Sequence, residues 1–463
     1  DSLTRHPVVD LGSGKKLASL GLVLENMIAV DCGRLGLLDK AATLLQSIPV
    51  RERIRMSVLA ASIFQNDTLD CGGVPQTPAE YIDLLARTSG LSYALARANT
   101  DRICAALRDT EAIMNGLSRG LPLDIYDTGL GEQAGATVRL NPRIKALGAC
   151  MPNNSPGVHV IWLISLAFGI PVLIRPGSSE PFTPYRLIQA FIKAGFPPEV
   201  FGFYPCDHAA ADRIPLLTKG AIVFGSDHTV KKWATNPLVQ VHGSGFSKLF
   251  LGEDLAGKWV SLVSSMAHNV SANSGRSCFA VSTIVVPKNG REIAAALAAE
   301  MASLVPASLD APGNLLSAMA MPDRAKAVNE EIEEGLKAGG AEDMSALQRG
   351  TSGPDRLVVF EGRTYMLPTV VFCDSMDHPL ARKEYLFPYV AVVEASNDEA
   401  FEKMGPTLSL AVYTHDEKLK GRARRSRVSL VSLNRPTPAL DRRQPHEENL
   451  FELLWERLSL TGA

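Results

Sequence analysis

The sequence predicts an α/β protein: a doubly wound parallel sheet, a second α/β unit after it, and a small arm between helical and sheet-forming parts. Three observations predict this. The first is a regular alternation from Ala146 to Phe224. Strands are expected at Ala146–Cys150, Pro171–Ile174, Val200–Tyr204 and Ala221–Phe224, and helices at Val158–Phe168, Pro184–Ala194 and Ala209–Leu217. Units of this length imply parallel strands joined by right-handed helical crossovers. Such sheets bind ligands at the carboxyl ends of their strands, where Asn154, Arg175, Pro205 and Gly225 fall.

The second observation is another mixed pattern from about Phe246 to Arg435. Helices are expected at Lys258–Asn269, Arg291–Leu304 and around Met321–Lys337, with strands at Thr283–Val286, Arg356–Phe360, Thr369–Phe372 and Tyr389–Glu394. The third is the polar stretch Tyr126–Pro142, whose short strand Ala136–Leu140 has no evident partner nearby. Ahead of it, Leu37 to about Arg119 is helical. Leu38, Ala41, Ala42, Leu44 and Leu45, then Ile54, Met56, Leu59, Ala60 and Ile63, recur at helical spacing. Gly72–Pro75 breaks this run, and Thr77-Pro78 opens the next helix with proline in its first turn.

A chain of 463 residues is long enough for about two or three domains, each with its own core. The charged content of 21% and formal net charge of −2 provide no electrostatic basis for binding nucleic acid or an anionic membrane. The basic run Lys418–Arg427 reads as a solvated helix face. Seven scattered cysteines without a Cys-x-x-Cys pair argue against a zinc framework or disulfide scaffold and fit a reducing compartment. The longest apolar run, Val158–Ile174, is interrupted by His159, Gly169 and Pro171 and is too short to span a bilayer. With no apolar signal segment at the start, a cytoplasmic protein is expected.

The chemistry concentrates in Asn273-Ser-Gly-Arg-Ser-Cys278. A small polar turn presents one thiol at the entry to the buried strand Thr283–Val286, an arrangement that suits a nucleophile. Inert packing is the competing reading for any free cysteine. Gly275 is suited to a positive φ beside the thiol. Arg276 is either a charge that favours the thiolate or an exposed side chain.

Asn-x-Gly-x-x-Cys resembles the catalytic segment of the aldehyde dehydrogenase superfamily, and other landmarks follow in the family's order. Met151-Pro-Asn-Asn154-Ser-Pro156 is similar to Pro-Trp-Asn-Phe-Pro. Ile174-Arg175-Pro-Gly-Ser178 is similar to the Lys-Pro-Ser-Glu turn. Gly195-Phe-Pro-Pro198, Phe224-Gly225-Ser226, Lys383-Glu384-Tyr-Leu-Phe-Pro388 and Leu433-Asn-Arg-Pro436 also match family segments. The resemblance covers roughly Leu37–Thr437 and identifies a divergent member. It implies a nicotinamide-cofactor domain over 1–122 and 145–245, a catalytic domain over 246–437, and oligomerisation or bridging segments over 123–144 and 438–463.

The same resemblance implies that Cys278 forms a thioester with an aldehyde or acyl substrate, with Asn154 and the Cys278 backbone N–H as oxyanion donors. NAD or NADP is the expected cofactor, although the Gly-x-Gly-x-x-Gly fingerprint is absent. Arg175 and Ser178 fall at the adenosine ribose, Gly225 and Ser226 at the diphosphate, and Glu384 at the nicotinamide ribose. Serine in place of the family's acid, beside an arginine, leaves NADP open as well as NAD. Val230 replaces a family glycine and Leu386 a family aromatic. A homodimer or homotetramer is implied, with no metal.

The largest departure is His242, which stands where hydrolytic members carry the glutamate that activates water. No acid near it in sequence replaces that glutamate. Two catalytic readings follow: His242 is itself the base, or the acyl group passes to another acceptor such as coenzyme A, as in the acyl-CoA and acyl-phosphate reductases that also lack the glutamate. Two bland readings stand against them: a structural loop histidine, and a non-catalytic homologue kept for binding or assembly.

Overall fold

The computed structural model describes residues 4–34, 36–349, 355–437 and 441–460. Five parallel strands form the first sheet: β1 (Leu147–Cys150), β2 (Val172–Arg175), β3 (Phe201–Phe203), β4 (Ala221–Phe224) and β5 (Val239–His242), in the order β5-β4-β1-β2-β3. The strand order reverses direction next to β1, so the loops after β1 and β4 open onto one crevice. Alternate residues face opposite helix layers. Leu147, Ala149, Val172 and Ile174 pack with the helices Val50–Asn66, Val160–Ala167 and Phe182–Ala194. Cys150, Leu173, Ala221 and Val223 pack with Ile28, Leu38, Ile214 and Trp233.

The second sheet has seven strands: β6 (Lys248–Leu251), β7 (Thr283–Val286), β8 (Ala341–Asp343), β9 (Thr369–Cys373), β10 (Tyr389–Glu394), β11 (Ser409–Tyr413) and β12 (Leu430–Leu433). Their order is β8-β9-β10-β7-β6-β11-β12, parallel throughout except for the β8–β9 pair. Both faces are apolar because both are covered, which is why these strands read as continuous hydrophobic runs. Leu249, Leu251, Ile284 and Val286 face one core; Phe250, Val285, Ala391 and Val412 face the other.

Two expected helices are divided. Residues Glu253–Leu262 form a 3-10 segment ahead of the helix Val263–Ser271, and the helix expected at Ala209–Leu217 is split into His208–Ala211 and Arg213–Thr218. Pro215 has no N–H to continue the first of these into the second.

The arm differs from expectation. Its strand, Ala136–Pro142, is paired within the chain, with Leu130–Gln133 on one side and Trp455–Leu458 on the other. Tyr126, Phe451 and Trp455 anchor this small sheet through edge-to-face ring contacts. The free edge therefore lies at the outer strands, where Leu130 is exposed. Exposed edges are templates for association, so a dimer or a multiple of dimers is the expected species. Sedimentation velocity at micromolar concentration checks this, and a stable monomer would refute it. Among the described residues no helix is long and apolar enough to cross a membrane.

Candidate active site

A cleft of about 510 Å³ lies between the two sheets. It brings together Asn154, Gly225, His242, Cys278 and Glu384 from separate parts of the chain. Arg175, Ser178 and Ser226 do not line it.

Cys278 sits half-buried after a turn with three consecutive residues of positive φ: Asn273 (52°), Ser274 (57°) and Gly275 (68°). Only glycine adopts this conformation without strain. At Gly275 a Cβ would also lie 2.4 Å from the backbone of Phe387, so glycine is required on both counts. The two non-glycine residues are held by side-chain hydrogen bonds. Asn273 Oδ1 accepts from Asn99 Nδ2 at 2.7 Å, Asn273 Nδ2 donates to Ser155 Oγ at 3.1 Å, and Ser274 Oγ accepts from the Ser317 N–H at 2.8 Å. Such a turn, over-determined by its surroundings, is the sort of backbone found at functional sites.

Asn99, fully buried, is a site residue that the sequence did not reveal. Its Oδ1 also accepts from Ser155 Oγ (2.8 Å) and from the Gly157 N–H (3.1 Å). One amide thus ties the loop bearing Asn154 to the turn bearing Cys278. An asparagine on an amphipathic helix carries no sequence signal for this. Asn99→Ala is expected to lower kcat by roughly 10²-fold through misplacement of the two loops, while leaving cofactor binding close to that of the parent; steady-state kinetics and cofactor titration check it.

Asn154 Nδ2 donates to the carbonyl oxygen of Arg276 at 3.3 Å. An amide nitrogen carries two hydrogens, so the second is free to face the cleft. The Asn154 Oδ1 is buried without a partner. Arg276 does not fill the role considered for it. It is 5% exposed, and its guanidinium turns away to the carbonyl oxygens of Ser89 (2.6 Å) and Asn153 (3.5 Å). It clamps the two loops and contributes no charge to the thiol.

Burial pushes the Cys278 thiol well above its usual range, and the carboxylates of Glu447 and Glu384 push it the same way. The N–H groups of Cys278 and Phe279 oppose them. The resting sulfur is therefore a protonated thiol that needs a base. The loop after β5 packs on its backbone: Ser247 Oγ donates to the Cys278 carbonyl at 2.7 Å, and a Cβ on Gly245 would lie 2.0 Å from that oxygen.

Glu384 is half-buried at the cleft wall and accepts from the Phe246 N–H. Burial raises its carboxyl to about 7 against the pull of the Phe246 and Gly245 N–H groups and Lys248. Arg175 ends β2, donating through Nη2 to the Cys206 carbonyl at 3.3 Å, while its buried Nε has no partner. Ser178 is half-buried in the next turn. Gly225 and Ser226 are exposed at the end of β4, ahead of the helix Asp227–Trp233.

His242 ends β5, 4% exposed, with its ring stacked on Phe224 at 4.7 Å. The expectation that no acid stands near it fails in three dimensions. Glu447 Oε2 lies 2.9 Å from His242 Nδ1, and His446 packs against both His242 and Phe279. Burial, with His242 beside it, pushes His446 down to about 4. His446 and Glu447 come from the far end of the chain, so local sequence reading could not place them.

The aldehyde dehydrogenase family model matches residues 74–447. The chain belongs to the aldehyde dehydrogenase family. Geranial dehydrogenase of Castellaniella defragrans is 24% identical over 335 residues, covering 66% of this chain and 64% of that protein. The match thus spans less than two thirds of that relative's length. In fold the chain is similar to an NAD-dependent benzaldehyde dehydrogenase from Corynebacterium glutamicum, with a TM-score of 0.78, 17% identity and coverage of 99% and 96% of the two chains. It is also similar to a glyceraldehyde-3-phosphate dehydrogenase from Methanocaldococcus jannaschii complexed with NADP. There the TM-score is 0.74, the identity 14% and the coverage 94% and 91%.

Proposed function

We propose that this chain is an NAD(P)-dependent oxidoreductase that interconverts an aldehyde and an acyl derivative through a thioester on Cys278. The observation that carries this reading is the convergence of Cys278, Asn154 and Glu384 on one cleft within the family's fold. The Cys278 thiol gives up its proton to water in the cleft, the thiolate adds to the aldehyde carbonyl, and the oxyanion is met by the second Asn154 N–H and the Cys278 backbone N–H. Bound nicotinamide supplies the hydride acceptor or donor.

The residues present fit such a cofactor. The unpartnered Nε of Arg175, with Ser178 beyond it, suits a ribose; the exposed backbone at Gly225–Ser226 suits a diphosphate. Glu384, at the Cys278 end of the cleft, suits the second ribose. Ser178 in place of an acid admits a 2′-phosphate, so NADP is accommodated alongside NAD.

One observation bears on the fate of the acyl group. Glu447 beside His242 pairs a carboxylate with an imidazole in the cleft that holds Cys278. That pair supports hydrolysis with His242 as the base that takes the proton from water. Coenzyme A as acyl acceptor is the competing fate. Initial rates with a panel of aldehydes and acyl-CoA thioesters, with each cofactor and in both directions, test the reading. No cofactor turnover with any of them would favour a non-catalytic binding role instead.

A further inference from the structure

Proton transfer alone does not account for the arrangement of side chains around His242. His242 Nδ1 lies 2.9 Å from Glu447 Oε2, yet neither ring nitrogen of His242 is in hydrogen-bonding geometry with any group. His446 Nδ1, 4.0 Å from Glu447 Oε1, is likewise buried and unpartnered. Buried polar atoms nearly always find partners. Here three nitrogens of two rings fail to, although a carboxylate stands beside them.

One ligand atom from each of His242, His446 and Glu447 can be chosen so that all lie within 4.8 Å of one another. A tetrahedral site with bonds of about 2.0–2.1 Å places its ligands roughly 3.3 Å apart. His242 Nδ1 stands 2.9 Å from one oxygen of Glu447 and His446 Nδ1 4.0 Å from the other, so each ring has a carboxylate oxygen near its Nδ1. Two imidazoles with one carboxylate are also a donor set suited to a borderline cation such as Zn²⁺, and one that leaves a fourth position open. The rings are held in place by Phe224 on His242 and Phe279 on His446.

We propose that His242, His446 and Glu447 form a binding site for one divalent transition-metal cation of the zinc type, in the wall of the Cys278 cleft. The ligands of such a cation are neutral imidazole and carboxylate.

Binding is read without aldehyde or nicotinamide, so failure of the redox reading leaves this test intact. The Cys278→Ser variant, used to remove the cleft thiol as a competing ligand, is stripped with chelator and titrated with Co²⁺. The expected result is one equivalent per chain, with the strong visible absorption of tetrahedral cobalt, displaced by Zn²⁺. His446→Gln and Glu447→Gln in the same background are each expected to weaken binding by roughly tenfold or more. In a parallel thermal melt, Zn²⁺ raises the unfolding temperature of the parent and not of the two variants. A melt of each variant without metal shows that it is folded. Absence of a saturable cobalt signal, or equal binding by the parent and both folded variants, would overturn the site.

Discussion

Replacing Cys278 with serine is expected to lower aldehyde turnover by roughly 10³-fold or more, while nicotinamide binding persists. The reason lies in the position of the sulfur. Three left-handed residues, Asn273 to Gly275, are fixed by Asn99, Ser155 and Ser317 so that the thiol faces the cleft and its own N–H lies beside it. Serine keeps that geometry but is a far weaker nucleophile. The loss should fall on kcat, with cofactor fluorescence titration unchanged. Iodoacetamide, with the labelled cysteine identified by peptide mapping, separates the residue from the five buried cysteines and from half-buried Cys71. Cys32, Cys104, Cys150, Cys206 and Cys373 are buried, and Cys71 lies away from the cleft. Because burial and two carboxylates hold the Cys278 thiol protonated, labelling should be slow at neutral pH and accelerate as pH rises. Full activity in the serine variant would remove Cys278 from the mechanism.

The parts of this molecule visible in the sequence are those with local causes. The strands Leu147–Cys150, Val172–Arg175 and Ala221–Phe224 are short apolar runs between turn residues, and the helix Phe182–Ala194 has one apolar face. Gly275 is legible because a positive φ demands it. Val239–His242 and Ser409–Tyr413 are not legible as strands, since four or five residues with a glutamine or serine among them carry little period. The pairing of Ala136–Pro142 with Trp455–Leu458 depends on distant parts of the chain meeting, which no local pattern encodes. Arg276 shows the same limit in the site. Two residues from a cysteine it suggests an electrostatic role, yet its direction is decided by carbonyls of Ser89 and Asn153, supplied by other elements. Asn99, His446 and Glu447 have no motif to mark them, because their roles exist only through what the fold brings beside them.

Glu447 decides what should happen to the acyl group. If His242 stands in place of the water-activating glutamate, a thioester on Cys278 would persist unless another base is supplied, and a thiol acceptor would take the acyl group with little help, its pKa being about 8.5. The carboxylate 2.9 Å from His242 changes that expectation. It sets a carboxylate beside the ring proposed to take the proton from water, and so supports hydrolysis. The expected result is steady production of carboxylic acid from aldehyde and cofactor in metal-free buffer, without a burst and without stimulation by coenzyme A. His242→Ala should cut that steady rate by roughly 10²–10⁴-fold, the range of general base catalysis, and should expose a burst of one equivalent of reduced cofactor as the thioester accumulates. Glu447→Gln should fall between the two, since it keeps a hydrogen-bonding group beside His242 but removes the charge. Coenzyme A added to the His242→Ala variant should then restore turnover, because the thiol needs no base at His242. If instead the unaltered protein shows the burst, and coenzyme A accelerates it while His242→Ala changes nothing, the acyl group is transferred and not hydrolysed, and the pair of His242 and Glu447 has a use other than proton transfer.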